Sequence, residues 1–435
     1  MKSFDVAVIG GGPAGVMAAI GAKLAVPTLS VGLVDPCLPN RHRIGEALLT
    51  GTIMTLADAG LARSVAAAGY HLKIGAAYVW GESREPWYVE YPPLEEGSYP
   101  EEFAHPGGRY AIHVPRHVFD DHLRREAAAL GVEFLQDTVN AVDCSDGSFG
   151  PLVRCLRTTS GETIVARRYV DCTGHGALFS RRLTKRLPVG QARIARYAYT
   201  ADIDWEKAAA NGFDIHRTNI VSNANGWIWI IHLGEVGGGL TSVGFVSTPD
   251  VLSKVNLENC TDAFPELEWF GFRDGYLNPR TFDGQPTDRL YGHPDYSFAC
   301  ERLDGVNWAL AGDAAIFIDP ILSQGVTLAC HYGYLRGRAA AAEVEGSEHR
   351  QAMVSRHYRR ECAILRQVVG EWYGNNRAAG NWRMRSVMIS KDEYGLELDE
   401  HHAFRWITNL ENLRDEYDPY PQSEREKIRR HLGIA

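Results

Sequence analysis

The stretch FDVAVIGGGPAG near the amino terminus constrains the fold more than any other part of the 435-residue chain. Residues 4–9 form an apolar run that predicts a short buried strand. Three glycines follow and permit a tight turn, and Pro13 is tolerated in the first turn of a helix over PAGVMAAIGAKLA. A strand, a glycine turn and a helix together form a phosphate cradle, because the helix N-terminus offers free N–H groups and partial positive charge.

Glycines of this turn form a dinucleotide-binding fingerprint. Gly10, Gly12 and Gly15 complete GxGxxG, and Asp35 follows twenty residues after Gly15, at the end of a second predicted strand, LSVGLVDP. At this spacing a carboxylate accepts hydrogen bonds from a ribose diol. An ordinary tight βα turn is the alternative interpretation, and the fingerprint by itself does not distinguish FAD from NAD.

A second stretch, WALAGDAAIFIDPILSQG, favours FAD. Its apolar strand ends in Gly312 and Asp313, which place a backbone N–H group and a carboxylate near another part of a long ligand. Pro320 and Gly325 then shape a close-approach loop before a helix that starts near Val326. Because the two parts of the site lie so far apart in the sequence, an extended FAD molecule fits better than NAD.

Composition excludes several classes of protein. The formal net charge of −9 disfavours a nucleic-acid partner. The eight cysteines are scattered and form no CxxC pair, so we expect no disulfide framework, no metal site and a reducing, cytoplasmic location. No apolar run reaches the ~18 residues of a membrane span, and Asp5 with the glycine turn interrupts any signal-peptide pattern.

Changes in composition and in hydrophobic pattern divide the chain into three predicted units. Residues 187–300 are rich in Tyr, Trp, Thr and alternating apolar positions, which is typical of an antiparallel sheet, and βα patterns flank them. The pattern after about residue 347 is helical and charged. The predicted units are an FAD-binding domain (1–80, 108–186 and 300–346), a substrate domain (81–107 and 187–299) and a C-terminal helical region (347–435).

Several stretches, taken as a set, resemble the FAD-dependent aromatic monooxygenase superfamily, and within it the branch that contains the flavin-dependent halogenases. They cover most of residues 4–340 in the family's order, and they are VIGGGPAG, RIGEALL with LADAGL, HLKIGAAYVWG, VPRHVFDDHL, VDCTGHGALFSRRL, GWIWIIHL and ALAGDAAIFIDPILSQGV. The resemblance implies an α/β fold: a Rossmann-type FAD-binding domain of the glutathione-reductase-like family, with an inserted, mainly antiparallel β substrate domain and C-terminal helices.

The resemblance also implies the cofactor-binding residues. They are Gly10, Gly12, Pro13, Ala14, Gly15 and Asp35 for the ADP half; Arg43, Glu46 and Ala47 near the flavin or its ribityl chain; Arg116 at the pyrophosphate; Gly312 and Asp313 at the ribityl or phosphate oxygens; and Pro320, Gln324, Gly325 and Val326 around the isoalloxazine ring. For the two arginines a surface ion pair is the alternative role.

The resemblance leaves two reactions open, hydroxylation and halogenation. Reduced flavin and O2 form a C4a-hydroperoxide, which an electron-rich ring attacks to give a hydroxylated product or which chloride attacks to give hypochlorous acid. The leading expectation is a monooxygenase that hydroxylates an indole or phenol ring. The substrate class includes a tryptophan side chain within a protein or peptide, as in the flavoproteins of tryptophylquinone biogenesis. A halogenase of a phenol, pyrrole or indole is the alternative.

Three residues are the catalytic candidates. Lys73 aligns with the lysine that halogenases use to steer hypochlorous acid, and burial beside an apolar strand would lower the pKa of its amine; a snorkelling lysine is the alternative. Trp227 and Trp229 match the halogenase signature WxWxIP, although His232 stands at its proline, and they equally fit one face of an aromatic strand. Leu322 stands where tryptophan halogenases carry a catalytic glutamate.

The expected partners are an aromatic substrate, either a small molecule or a protein or peptide, and an electron donor. The donor is NAD(P)H or a separate flavin reductase, because Cys172 follows Asp171 where single-component hydroxylases have an Asp-Gly pair. Two other classes stay open: a flavin-dependent reductase on a related fold, and a flavoprotein without catalytic activity.

Overall fold

The computed structural model of the protein describes residues 1–36, 43–81, 84–91, 99–105, 108–147, 150–190, 192–272, 277–293, 297–374 and 381–410. Its strands are β1 (Lys2–Ile9), β2 (Val31–Asp35), β3 (His71–Lys73), β4 (Gly75–Val79), β5 (Trp87–Glu90), β6 (Ala104–His105), β7 (Gly108–Arg109), β8 (Ala111–His113), β9 (Glu133–Gln136), β10 (Val139–Gly147), β11 (Gly150–Thr158), β12 (Thr163–Asp171), β13 (Arg186–Pro188), β14 (Ile194–Thr200), β15 (Arg217–Asn223), β16 (Gly226–His232), β17 (Thr241–Ser247), β18 (Tyr291–His293), β19 (Phe298–Cys300), β20 (Trp308–Leu310) and β21 (Ile316–Phe317). Its α-helices are α1 (Pro13–Ala25), α2 (Thr50–Asp58), α3 (Ala62–Ala67), α4 (Arg116–Ala129), α5 (Trp205–Ala210), α6 (Pro249–Leu252), α7 (Cys260–Ala263), α8 (Gly325–Val344), α9 (Arg350–Tyr373), α10 (Asn381–Tyr394) and α11 (Glu400–Thr408).

The first sheet has a parallel core. β1 lies between β12 and β2, β9 extends the sheet beyond β2, and β20 pairs in parallel with β12. β10 and β11 add an antiparallel edge. The carboxyl ends of parallel strands gather at one edge of a sheet, so the segments after β1, β2, β12 and β20 meet there, as a dinucleotide fold requires. The predicted Rossmann-type α/β fold is confirmed.

Helices α1 and α8 lie in very close contact, although they are far apart in the sequence. A methyl group built on Gly337 would lie 1.8 Å from the Ala18 carbonyl oxygen, and one on Gly333 would lie 2.2 Å from that of Ala14. A methyl group on Gly21 would lie 2.3 Å from the carbonyl oxygen of Tyr334. The two backbones therefore touch where side chains are absent, and α1 is held between the sheet and α8.

The second sheet has the strand order β18-β14-β17-β16-β15-β4-β5 and is antiparallel except for the β15–β4 pair. Its side chains alternate between two environments. Ile228 and Ile230 of β16 lie in a core that includes Val243 and Phe245, whereas Trp227 and its period-two neighbours face the first sheet. β4, which the boundary at residue 80 assigns to the FAD-binding unit, pairs in this second sheet.

The C-terminal helices pack against the second sheet. The indole Nε1 of Trp80 donates a hydrogen bond of 3.2 Å to the Trp372 carbonyl at the end of α9, and the Trp372 ring stacks on Phe404 of α11 with centroids 5.5 Å apart. Parts of the predicted segments 81–107 and 347–435 lie outside the described residues. Among the helices that are described, none combines the length and apolar character needed to cross a bilayer.

Candidate active site

A cavity of about 640 Å³ lies between the two sheets. One wall consists of the loops that follow β1, β2, β12 and β20, together with residues 43–47. The opposite wall is the inner face of β15 and β16, with Trp227 and Trp229 among its lining residues. A cavity that begins at a phosphate cradle and ends on an aromatic sheet suits a long dinucleotide with its reactive end toward an aromatic substrate.

The end of the cavity at the glycine turn has the geometry of a dinucleotide cradle. Gly10 has φ +101°, and a methyl group there would lie 2.4 Å from the Cys172 carbonyl oxygen, so this turn requires glycine. Gly12, Pro13 and Ala14 line the cavity at the N-terminus of α1. A methyl group on Gly15 would lie 1.8 Å from the Gly10 carbonyl oxygen, so Gly15 shapes the turn from outside the cavity wall.

Asp35 lies at the end of β2 and lines the cavity. Its Oδ2 accepts a hydrogen bond of 2.6 Å from the Gly11 N–H group. Arg124 of α4 completes this corner, because its Nε donates to the Gly11 carbonyl at 3.0 Å and its Nη2 lies 3.9 Å from Asp35 Oδ1. The sequence prediction did not include Arg124, since an arginine on a polar helix face gives no signal of its own.

Two arginines share one carboxylate in the middle of the cavity wall. Arg116 Nε donates to Asp120 Oδ1 at 3.0 Å, and Arg43 Nη1 lies 3.2 Å from Asp120 Oδ2. Arg116 Nη1 also donates to the Ile44 carbonyl at 2.6 Å and so holds the loop that follows Arg43. Two guanidinium groups that share one carboxylate offer further N–H donors, which suits a pyrophosphate. Both arginines line the cavity, as do Gly312 and Asp313. Burial raises the pKa of Asp313 to about 6, and the arginines oppose that shift.

An amide without a hydrogen-bond partner among the described residues lies beside the N-terminus of α8. Pro320, Gly325 and Val326 line the cavity around the N-terminus of α8. Gln324 is 1% exposed, and neither its Oε1 nor its Nε2 has a hydrogen-bond partner among the described residues. A buried amide costs free energy unless a ligand satisfies it. Gln324 itself is not among the lining residues. The lining residues fit a bound FAD, because they provide a glycine cradle, an arginine pair at mid-length and the N-terminus of α8.

Glu46 connects the cofactor wall to the second sheet. It is buried and lines the cavity, and its Oε1 accepts a hydrogen bond of 2.9 Å from the Tyr199 hydroxyl of β14. Its Oε2 accepts from the Gly45 N–H group at 3.0 Å. Burial raises the pKa of Glu46. Trp229 reaches the same group through Ser242, whose hydroxyl accepts from the indole Nε1 at 3.0 Å and donates to Glu46 Oε1 at 3.4 Å. Glu46 is one of the residues predicted to lie near the cofactor, whereas Tyr199 was not predicted.

Lys73 at the end of β3 is buried behind the cavity wall. It is 2% exposed, its Nζ donates to the Leu48 carbonyl at 3.0 Å, and it is not among the lining residues. Ala47, which is adjacent to Leu48, does line the cavity. Burial lowers the pKa of Lys73 from 10.5 to about 7. The expected desolvation of this amine is therefore present, and the snorkelling alternative does not apply to a side chain buried to its tip.

The cavity wall near α8 includes a carboxylate that the sequence prediction missed. Asp319 lines the cavity between the strand β21 and Pro320, and its Oδ1 accepts hydrogen bonds from the Ile321 N–H group at 2.9 Å and the Tyr373 hydroxyl at 3.0 Å. Tyr373 accepts a bond of 2.8 Å from Trp227 Nε1. In the sequence, the only indication that Asp319 belongs to the site is its position directly before a loop proline. The sequence gives no such indication for Tyr373, because no motif marks the end of α9.

Within the residues that the structure describes, no group of three or more His, Cys, Asp or Glu side chains is arranged to hold a metal ion. The described cysteines are all free thiols.

Comparison with known proteins assigns the family. The family model for tryptophan halogenase matches residues 5–106 and 95–401, so the chain belongs to the tryptophan halogenase family. It is 28% identical to a tryptophan 2-halogenase of Chondromyces crocatus over 91% of this chain and 72% of that protein. It is 25% identical to the chlorinase of 1H-pyrrole-2-carbonyl groups on a peptidyl carrier protein from Pseudomonas fluorescens, over 85% of this chain and 82% of that protein.

Among solved structures, the chain is similar to the myxobacterial chondrochloren halogenase CndH, described as a variant of FAD-dependent halogenases. The TM-score is 0.71 and the identity 25%, over 100% of this chain and 98% of that one. The resemblance to flavin-dependent halogenases and the prediction of FAD as cofactor are confirmed. The same comparisons favour the halogenase alternative over the expected hydroxylation, and they give no support to a tryptophan side chain within a protein as substrate.

Proposed function

We propose that the protein is a flavin-dependent halogenase of an electron-rich aromatic ring, and that Lys73 delivers the halogen. The observation that carries the proposal is the buried Lys73 amine, which has one hydrogen bond, to a backbone carbonyl, among the described residues and a pKa lowered to about 7. An amine that is partly neutral near pH 7 is nucleophilic, whereas an ordinary lysine is not.

FAD, bound and reduced, supplies with O2 the oxidising equivalents that convert a halide ion into a hypohalous acid. The chain's own residues hold the cofactor through the glycine cradle, with the arginine pair Arg43 and Arg116 facing the pyrophosphate. Glu46 and Tyr199 brace the loop between the cradle and the second sheet. The buried wall of Trp227 and Trp229 excludes water, so that the hypohalous acid is not lost to solvent.

Halogen transfer through Lys73 proceeds in two balanced steps. The nitrogen of the neutral amine takes the halogen from the hypohalous acid, and water leaves with the displaced proton. The ring then takes the halogen, and the ring proton replaces it, which regenerates the amine. The Lys73 amine must leave the Leu48 carbonyl to reach the cavity, so breaking the 3.0 Å bond is part of the reaction coordinate.

We further propose that a separate flavin reductase, using NAD(P)H, supplies the reduced FAD. The sequence feature behind this is the Asp171-Cys172 pair. The structure supports a holding role for this segment: Asp171 is buried and its oxygens accept bonds from the N–H groups of Thr173 and Phe179 at 2.9 and 2.6 Å. A carboxylate occupied in this way has little capacity left for a second nucleotide.

The test uses the FAD-loaded protein, a flavin reductase with NADH, O2, and a panel of phenols, pyrroles and indoles, both free and, for the pyrrole, loaded on a carrier protein. Mass spectrometry with and without bromide reads the product. The expected result is a bromide-dependent product carrying the bromine isotope doublet. Addition of one oxygen atom without bromide would restore hydroxylation as the main reaction and contradict the proposal.

Matched variants assign the role of the amine. Lys73→Met removes the nucleophile at a buried position, and Lys254→Met makes the same change at an exposed lysine. Halogenation should be lost in the first and unchanged in the second, with FAD absorbance equal in both. Retained halogenation in Lys73→Met would exclude Lys73 as the carrier.

A further inference from the structure

We propose that Asp319 recognises the substrate: one carboxylate oxygen accepts a hydrogen bond from an O–H or N–H group attached to the aromatic ring that is modified. This inference rests on the proposed function and names its substrate class, namely phenols, pyrroles and indoles with a free ring donor. Ring ethers and N-alkylated analogues fall outside that class.

The two oxygens of Asp319 are in different situations. Oδ1 is occupied, because the Ile321 N–H group and the Tyr373 hydroxyl both donate to it at 2.9 and 3.0 Å. Oδ2 has no hydrogen-bond donor among the described residues, and Arg193 Nη1 lies 3.7 Å from it, beyond ordinary hydrogen-bond distance. The residue lines the cavity. One oxygen is therefore fixed by the protein and the other remains for a ligand.

The surroundings make this carboxylate unusual. The same cavity is lined by Trp227, Trp229, Ile220 and Ile231, and Trp227 is linked to Asp319 through the Tyr373 hydroxyl. A buried charged group is costly, and proteins often keep such groups where they bind something. With an aromatic ring stacked against the tryptophans, Asp319 Oδ2 is placed to accept a hydrogen bond from the ring's donor group.

The orientation of Asp319 is set by Tyr373 and Trp227, which act as positioning residues. Trp227 Nε1 donates to the Tyr373 hydroxyl at 2.8 Å, and that hydroxyl donates to Asp319 Oδ1. The Arg193 guanidinium lies 3.5 Å from the centre of the Tyr373 ring and fixes the ring from its other side. The carboxylate cannot rotate without breaking these contacts.

Charge supports the same role. Burial raises the pKa of Asp319 to about 6, while the Ile321 N–H group, Arg193 and Tyr373 hold it from rising further. These groups come from the Asp319 loop, from the segment before β14 and from α9. The carboxylate is therefore ionised above about pH 6 and accepts hydrogen bonds there. A ring donor bonded to a carboxylate becomes more electron-rich, which favours attack on an electrophilic halogen.

A site built to bind a donor rejects the analogue without it, because Asp319 Oδ2 is then left without a hydrogen-bond donor. The probes are phenol against anisole and pyrrole against N-methylpyrrole, with FAD-loaded protein at pH 7.5. Binding is measured by titration calorimetry and bromination by mass spectrometry. We expect phenol and pyrrole to bind at least tenfold more tightly than their methylated analogues and to be brominated at least a hundredfold faster.

The variant Asp319→Asn retains an oxygen for the Ile321 N–H group and Tyr373 but presents an amide donor to the cavity. We expect the preference in binding to disappear, while Asp143→Asn, the same change at an exposed carboxylate bound to Arg157, leaves it unchanged. Tyr373→Phe should retain the preference but raise KM and move the acid limb of the pH profile upward, because the carboxylate loses a donor.

Equal binding of the methylated and unmethylated probes by the wild-type protein would overturn the proposal, and so would an Asp319→Asn variant that still discriminates. These outcomes are distinct from failure of the proposed function. If no probe is brominated, the halogenase proposal fails, yet the calorimetric preference still decides the role of Asp319.

Discussion

Trp227 and Tyr373 lie 146 positions apart in the sequence, and the indole Nε1 of the first donates a hydrogen bond of 2.8 Å to the hydroxyl of the second. The bond ties the inner face of the second sheet to the end of helix α9. It connects α9 to the cavity wall, because Tyr373 in turn donates a hydrogen bond to the lining residue Asp319.

A double-mutant cycle measures the contribution of this hydrogen bond to the free energy of unfolding. Trp227→Phe and Tyr373→Phe each retain an aromatic ring and remove one partner of the bond. We expect the two changes to be non-additive, with a coupling of about 0.5–1.5 kcal/mol in the free energy of unfolding, the usual net value of one buried hydrogen bond. Denaturant titration of the single and double variants gives the coupling, and strict additivity would mean that the bond contributes nothing.

The contact between α1 and α8 predicts opposite effects of one substitution at two helical glycines. Gly337→Ala places a methyl group 1.8 Å from a carbonyl oxygen and should destabilise the protein by at least about 2 kcal/mol. Gly370→Ala in α9 meets no atom within 4 Å and should stabilise it by about 0.5–1 kcal/mol, the helix propensity difference. Thermal unfolding compares the two, and a stabilising Gly337→Ala would contradict the close contact.

The burial of the Lys73 amine predicts that its removal lowers activity but raises stability. Lys73→Met should be more stable than wild type, because the charged amine is costly to bury. The folded-state pKa of Lys73 is about 7, below its ordinary value of 10.5, so from pH 7 upward the unfolded state holds a proton that the folded state lacks. The advantage of the variant should therefore shrink by about 1.4 kcal/mol per pH unit between pH 7 and 9. Unfolding titrations at several pH values test this, and a pH-independent difference would place the amine in water.

Gln324 predicts that cofactor binding and apo stability respond in opposite directions. Gln324→Met retains the shape and removes two buried polar atoms that have no hydrogen-bond partner in the described part of the chain. The cofactor-free variant should be more stable by about 1–3 kcal/mol, whereas its affinity for FAD should fall about tenfold, since the ligand loses a hydrogen-bonding group. Flavin fluorescence titration and apo unfolding report the two effects, with the exposed Gln285→Met as control. Unchanged FAD affinity would remove Gln324 from the site.

Local signals in the sequence predicted much of this structure. The glycine fingerprint and the following helix were placed correctly, since α1 begins at Pro13, and β2 ends at Asp35 as the predicted strand requires. The start of α8 at Gly325 is one residue from its expected position near Val326. Such features depend on nearest neighbours and turn chemistry, which a single sequence carries.

Contacts between segments that are distant in the sequence could not be predicted from local patterns. The apolar run around β4 indicates a strand but not its partner, and β4 joins the second sheet beside β15. Asp319 and Tyr373 meet because α9 runs back across the sheet, and no spacing in the sequence encodes that approach. Lys73 was identified by resemblance, whereas its separation from the cavity by the Leu48 carbonyl is a matter of packing.

The place of β20 and α8 in the fold has a consequence for how the protein acquires its flavin. β1 and α1 lie at the start of the sequence, whereas β20, which pairs with β12, and α8, which packs against α1, both follow residue 300. A fragment that ends before residue 300 therefore contains only part of the nucleotide pocket, and we expect it to bind FAD poorly.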